Sequence, residues 1–200
     1  TSFTNHKNFK GGLFLKRITI IGIALFLIFS GSSMASAQDN ITPKHAHLSL
    51  GFALNHFHHD FGFGLTLTTP YFLNNQVAVR LSVNSSYFEG IPVDKTEYDW
   101  MPYTSCQLGL IGASAMVNDL IRLYGEGGVI YIIPNRQFSE KNVVGGFGHF
   151  GFEFFMNSGS PVCYFIEVGS LGTGAKAERL SEKPIYANGF ATSVGLRFHF

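Results

Sequence analysis

The chain has 200 residues, of which 46% are hydrophobic and only 14% are charged, and its formal net charge is +1. A chain so poor in charge is neither a disordered charged tail nor a protein that binds nucleic acid through its net charge. It contains 21 Phe and 23 Gly, and its two Cys are too few for a disulfide scaffold. This composition leaves open which solvent so many Phe side chains face.

The first 37 residues have the pattern of a cleavable signal peptide. Lys16 and Arg17 precede an apolar run over 18–29, and small residues follow in an A-x-A cleavage site that ends at Ala37. The run is shorter than the ~20 residues that a transmembrane helix needs, so an N-terminal anchor helix is the weaker alternative.

Cleavage there predicts a mature chain over 38–200. Because no Met precedes Met34, we hypothesise that residues 1–14 are an over-extended reading frame, with translation starting at Leu15. The removed segment holds the one hydrophobic helix candidate of the sequence. The mature chain is therefore expected to be either an exported soluble protein or a membrane β-barrel.

Apolar and polar residues alternate with a period of two along eight segments, which predicts eight β-strands. In the third segment, for example, Val77, Val79 and Leu81 alternate with Ala78 and Arg80. The eight segments are 46–56, 61–69, 76–88, 103–116, 120–133, 144–155, 162–171 and 189–200.

The two faces of these strands differ in residue size. The polar face carries mostly Gly, Ala, Ser, Thr and Asn, which suit the crowded interior of a narrow barrel. The other face carries large apolar side chains, as contact with lipid requires. The Phe side chains are therefore expected to face hydrocarbon and not a protein core.

The connections between the segments also differ in length. The second, fourth and sixth (70–75, 117–119 and 156–161) are short, and three of the other four are long. Short periplasmic turns combined with longer outer loops are typical of outer-membrane barrels. The first connection, 57–60, is a short exception.

Four segments carry a family resemblance: LYGEGG at 123–128, GFEFF at 151–155, FIEVG at 165–169 and VGLRFHF at 194–200. On these residues the sequence resembles the small eight-stranded outer-membrane β-barrels of the OmpA/OmpX type, over 46–200. The resemblance implies an all-β, antiparallel, up-and-down transmembrane barrel. A last strand that ends in Phe198 and Phe200 is similar to the signal that the bacterial barrel-insertion machinery reads. For function the resemblance is weak, because such barrels serve many roles.

Six charged residues fall on the inward face, each within about seven residues of its strand's predicted periplasmic end. Isolated charges in a narrow lumen would be costly, so we expect them to pair and to close the barrel. The functional alternative is a gated ion path through the same pairs. The six residues are Arg80, Arg122, Glu126, Glu153, Glu167 and Arg197.

Other candidate sites are weaker. A metal-binding cluster is conceivable at His56, His58 and His59, beside Asp60, whose imidazoles could bind a transition metal. We favour a solvated polar loop, because neighbouring residues of a short loop rarely converge on one metal. We predict no disulfide between the two cysteines, because they fall on strands four and seven, which are not neighbours.

A lipid-modifying hydrolase would need a His and a Ser near an acid on the lipid-facing wall. The one H-x-S sequence, His47 to Ser49, falls on the predicted inner face, so we expect no enzyme and no cofactor.

Aromatic residues in the long connections have two interpretations: they could recognise a ligand or form the interfacial girdle, and we favour the girdle. The residues concerned are Tyr98, Trp100, Met101 and Tyr103 in the second of the four predicted outer loops, and 176–186 in the fourth.

The sequence thus predicts an integral bacterial outer-membrane barrel with periplasmic termini and a structural or surface-interaction role. The expected partners are outer-membrane lipids and the insertion machinery, and the expected state is a monomer. A narrow gated pore, or an exported soluble lipocalin-like barrel that binds a small apolar ligand, are the alternatives. Nothing in the sequence names a ligand.

Overall fold

The computed structural model describes residues 47–57, 59–92, 97–113, 116–157 and 159–200. Eight antiparallel strands close into one barrel in which each strand pairs with its sequence neighbours and β8 pairs with β1. The strands are β1 Ser49–Phe57, β2 Asp60–Thr68, β3 Val77–Gly90, β4 Asp99–Ala113, β5 Ile121–Ile133, β6 Val143–Phe155, β7 Val162–Gly172 and β8 Gly189–His199. The predicted all-β, eight-stranded barrel is confirmed, while the predicted signal peptide lies outside the described residues.

The strand bounds differ most from the prediction in β4, which begins at Asp99 and not at 103. There the chain pairs with the end of β3, with Trp100 opposite Glu89. Pro102 lies inside this extension, and a proline in a predicted strand interior argues against strand because it donates no hydrogen bond. The alternation on either side of Pro102 nevertheless continues.

Side chains alternate strictly between the two faces of the sheet. Leu50, Phe52 and Leu54 of β1 are exposed on the outside, and Ala53 and Asn55 are buried inside. In a closed barrel this period of two separates one outer apolar surface from one lumen. Among the described residues, no helix is long and apolar enough to cross a membrane.

Several Phe side chains, however, point into the barrel. The expectation that Phe faces hydrocarbon is right for the outward positions and wrong for these, because an interior packs at high density and the small inward residues do not fill its two ends. The inward, buried Phe residues of the strands are Phe57, Phe88, Phe147, Phe155 and Phe165.

The two ends of the barrel differ. At one end, called here the short-turn end, strands are joined by tight turns; Asn118 and Asp119 take φ angles of 51° and 56° there. Asn and Asp tolerate this left-handed region better than other non-glycine residues. At the opposite, long-loop end, the 134–142 and 173–188 loops connect the strands, and Leu180 forms a bridge with Pro92.

Candidate functional site

The six inward charges lie together in the lumen and form one alternating chain of ion pairs. Arg80 Nη1 lies 2.5 Å from Glu126 Oε2 and 2.7 Å from Glu167 Oε1. Arg197 Nη2 lies 3.3 Å from the same Glu167 oxygen, and its Nη1 contacts Glu153. Arg122 Nη1 ends the chain 3.3 Å from Glu153 Oε2. The predicted pairing of inward charges is present, and the order along this charge chain is Glu126, Arg80, Glu167, Arg197, Glu153 and Arg122.

Neutral side chains complete the environment of the charge chain. Tyr124 donates its hydroxyl hydrogen to Glu167 Oε1 over 2.5 Å, and its ring lies 5.1 Å from the Arg80 guanidinium. The Arg80 Nε donates to the Thr68 hydroxyl over 3.0 Å. Phe165 places its ring 4.4 Å from the Arg197 guanidinium. Such contacts compensate the loss of water around buried guanidiniums.

Tyr71 covers the charge chain at the short-turn end. Its ring centre lies 4.5 Å from the Arg122 guanidinium carbon, and the side chain is buried. Burial raises the pKa of the Tyr71 phenol, and the nearby Glu153 carboxylate raises it further. The phenol therefore stays neutral where its face meets the cation.

A neutral polar layer lies above the charge chain, toward the long-loop end. Asn55 Nδ2 donates to Asn84 Oδ1 over 2.9 Å, and the Ser193 hydroxyl donates to Asn55 Oδ1 over 2.8 Å. Between this layer and the charges lies a cavity of about 10 Å³ that Arg80 and His149 help to line. A cavity of this size holds about one water molecule.

The long-loop end is closed by an aromatic plug, defined here as Phe88, Tyr103, Phe138 and Tyr186. The Tyr186 ring centre lies 5.0 Å from that of Phe138, 5.3 Å from that of Tyr103 and 5.8 Å from that of Phe88. Phe138 and Tyr186 come from the 134–142 and 173–188 loops, so these loops fold into the barrel mouth. Burial raises the pKa of the Tyr186 phenol, which therefore packs in its neutral form.

Asp60 anchors the plug. Its carboxylate Oδ2 accepts the Tyr103 hydroxyl hydrogen over 2.6 Å and the Ala187 backbone N–H over 2.8 Å. One buried acidic side chain on β2 thus connects the barrel wall to the 173–188 loop. The loop also has its own short ladder, because Lys176 forms a bridge with Ile185.

The assignment of Met101 and Tyr103 to an outer loop or girdle is wrong. Both belong to β4, point inward and are only 3% exposed. Tyr98 and Trp100 are exposed, and Trp100 points outward near the long-loop end, where an interfacial aromatic would lie. The strand extension beyond Pro102 explains the difference.

The other predicted residues lie apart from the charge chain. His56 is exposed on the outer face at the end of β1, whereas Asp60 points inward, and His58 lies outside the described residues. The metal site at His56, His58 and His59 stays a prediction. Phe198 lies in β8 and Phe200 directly follows that strand. Both side chains are exposed on the outer surface of the barrel at the short-turn end.

The inner face also contains features that sequence reasoning missed. Tyr124, Phe165 and Tyr71 were not singled out beside the charges, although the first two occupy inward positions of the alternation. The two cysteines face opposite ways: Cys106 lies at an outward position of β4, and Cys163 is buried in the lumen. Neither is in a disulfide.

No protein-family model matches the sequence, and no curated protein is significantly similar to it. Solved structures do match. The N-terminal β-barrel domain of Pseudomonas aeruginosa OprF superposes with a TM-score of 0.53 at 11% identity, over 76% of this chain and 96% of that chain. The outer membrane protein OprG from the same organism gives 0.50 at 15% identity, over 76% and 94%. At such identities the likeness shows the fold alone: the eight-stranded barrel of outer-membrane proteins.

The charge chain generates a stability prediction. Glu167→Gln should lower the free energy of unfolding by about 3 kcal/mol. The substitution removes the carboxylate that Arg80 and Arg197 share, so one positive charge of the buried layer is left uncompensated. Urea unfolding of the refolded barrel in detergent or lipid measures the change. The control is Glu178→Gln, which breaks an exposed pair with Lys141 and should cost less than about 1 kcal/mol. Equal effects of the two substitutions would contradict the role of the charge chain.

The Asp60 anchor generates a second prediction. Asp60→Ala removes the acceptor of two buried hydrogen bonds, so trypsin should cleave the 173–188 loop at Lys176 and Arg179 about tenfold faster or more. Mass spectrometry of the fragments over time measures the rate. Glu89→Ala, an exposed carboxylate at the same end of the barrel, is the matched control and should leave the rate unchanged. A loop that is cleaved equally fast in both variants would show that Asp60 does not hold it.

Proposed function

We propose that this chain is an integral outer-membrane β-barrel whose lumen is closed at two levels and whose role is structural or surface-interactive. The observation that carries the proposal is the charge distribution of the closed barrel. Within the eight described strands, outward positions hold one formally charged side chain, Glu89, next to the long-loop end of β3. The charge chain lies inside.

This distribution suits a barrel whose surrounding solvent is hydrocarbon. Outward Leu65, Leu110 and Val129 are more than half exposed, at 59%, 57% and 55%, which is costly in water and favourable in lipid. Outward aromatic residues lie near both ends of this band, with Tyr131 and Trp100 toward the long loops and Tyr164 toward the short turns. Aromatic girdles mark the interfaces of membrane barrels.

A lipocalin-like barrel is the weaker candidate. Such a protein needs an apolar cavity that can hold its ligand, typically of several hundred Å³. The described lumen is filled by charges, amides and the aromatic plug, and its cavity of about 10 Å³, lined mostly by polar and charged residues, is far too small for such a ligand. An apolar outer surface would also make a soluble barrel aggregate.

The difference between the two ends supports a proposed orientation. We place the short-turn end and both termini in the periplasm and the long loops at the cell surface, as is usual for such barrels. The outward Phe198 and Phe200 then lie where the insertion machinery would read the last strand. Outer-membrane lipids are the surrounding partners, and the barrel is proposed to be a monomer.

The surface role rests on how the long loops are held. Arg179 contacts Glu140 and donates from Nη1 to the Arg136 carbonyl over 2.7 Å, so the 173–188 loop is tied to the 134–142 loop. Lys141 and Glu178 add a further pair at 3.3 Å. The two loops therefore present one joined polar surface above the plug, which suits recognition by a shaped surface. No enzymatic activity is part of the proposal.

Membrane fractionation and conductance test the proposal together. We expect the exported protein to be extracted only by detergent, to migrate differently in gels before and after heating, and to give no steady single-channel conductance in planar bilayers. Recovery in the aqueous fraction would contradict the membrane assignment. A steady conductance that Glu126→Gln and Arg80→Gln both alter would contradict the closed lumen and identify the gated pore instead.

A further inference from the structure

An apolar groove runs along β8 on the outer surface of the barrel, between β7 and β1. Its volume of about 460 Å³ is typical of a site for a small molecule. Val194 and Leu196 of β8 form the floor, because each is smaller than both of the outward residues that pair with it on the neighbouring strands. The two paired rows are Tyr164, Leu196 and Phe52, and then Ile166, Val194 and Leu54.

The shape of the groove suits an acyl chain. Its outward side chains are aliphatic or aromatic, and the Tyr164 hydroxyl is their one polar group. Because the surrounding lipid is as apolar as the groove, van der Waals packing rather than the hydrophobic effect decides what fills it. A flexible hydrocarbon chain contacts the floor and both walls at once. Packing alone does not distinguish one lipid from another, so a selected lipid needs a polar contact as well.

The next row of the groove, toward the long-loop end, is polar. Thr192 takes the outward position of β8 that follows Val194 in this direction, and it pairs directly with His56 of β1. Directly paired residues of neighbouring strands have their Cβ atoms about 4.5–5.5 Å apart. An imidazole N–H and a hydroxyl both donate hydrogen bonds. The groove therefore ends in two donors that can share one acceptor.

This polar pair lies at the rim of the barrel wall. His56 is exposed and is the last residue but one of β1, which has 9 residues, whereas β4 has 15. In the orientation proposed above, the headgroups of the surface leaflet lie at this end of β1. A phosphate group there is anionic and offers strong acceptor oxygens to both donors.

We propose that the groove binds one phosphate-bearing lipid of the surface leaflet. One acyl chain lies along Val194 and Leu196, and the phosphate accepts hydrogen bonds from His56 and Thr192. This inference rests on the membrane assignment and on the orientation of the proposed function. A lipid held at both its chain and its phosphate leaves the barrel more slowly than the lipids around it.

Native mass spectrometry of the barrel purified in detergent tests the proposal. The probes are dimyristoyl phosphatidic acid and dimyristoylglycerol, which has the same two chains and no phosphate. One phosphatidic acid should stay bound to each barrel. Dimyristoylglycerol should bind at least about tenfold more weakly, because it lacks the charged acceptor.

Variants separate the groove from the polar pair. Val194→Trp fills the groove and should weaken phosphatidic acid binding at least about tenfold, whereas Val83→Trp, at an exposed outward position of β3, should not. The double variant His56→Ala, Thr192→Val should bind phosphatidic acid only as weakly as dimyristoylglycerol. Thr104→Val, at an outward position of β4, is its control and should bind as the wild type does. Heat-modifiable gel mobility identifies which variants fold.

Three outcomes would overturn the proposal. A folded wild-type barrel could retain both lipids equally, or a folded Val194→Trp barrel could retain phosphatidic acid as the wild type does. A barrel that only detergent extracts from membranes, but that retains no phosphatidic acid, would overturn the lipid site and leave the proposed function standing. Recovery of the protein in the aqueous fraction would instead contradict the membrane assignment, and the lipid site with it.

Discussion

The alternating chain of three arginines and three glutamates inside the barrel is the interaction on which the rest of the structure depends. Because the outer surface is apolar around the whole band, charged side chains on the strands can lie only inside or at the rim. Inside, each charge must find a partner, since an unpaired buried charge costs several kcal/mol. The backbone makes room for these long side chains. A Cβ at Gly109 would lie 2.4 Å from Glu126 Oε1, and one at Gly151 would lie 2.6 Å from the Tyr124 hydroxyl oxygen.

Above the charge chain, two further layers close the barrel: one is held by hydrogen bonds and the other by aromatic packing. The amides and hydroxyls around Asn55 and Asn84 satisfy one another across the lumen and leave space for about one water molecule. The aromatic plug excludes water and is held by hydrogen bonds to the Asp60 carboxylate. Because Phe138 and Tyr186 of the plug belong to the long loops, the contacts that close the barrel mouth also fix the shape of the outer surface. This coupling favours a fixed recognition surface over mobile loops.

The features that depend on the local alternation of polar and apolar residues could be predicted from the sequence. Val77 to Phe88 could be placed on a strand, with Arg80 inward, because each second residue is apolar and the pleat alternates side chains between faces. It could not predict that Arg80 of β3 meets Glu167 of β7, because that pair forms across the lumen and depends on how the closed barrel is staggered. Met101 was left outside the predicted strand because Pro102 interrupts the strand signal. Phe138 and Tyr186 belong to loops without periodicity, and only their aromatic character could have indicated burial.

A double-mutant cycle between Arg197 and Glu153 tests the central claim most directly. The free energy of unfolding in lipid is measured for the wild type, Arg197→Gln, Glu153→Gln and the double variant. If the charge chain organises the lumen, the double variant is more stable than the sum of the single losses predicts, with a coupling energy of about 2 kcal/mol or more. Losses that add to within about 0.5 kcal/mol would contradict the account, because residues that do not interact behave additively.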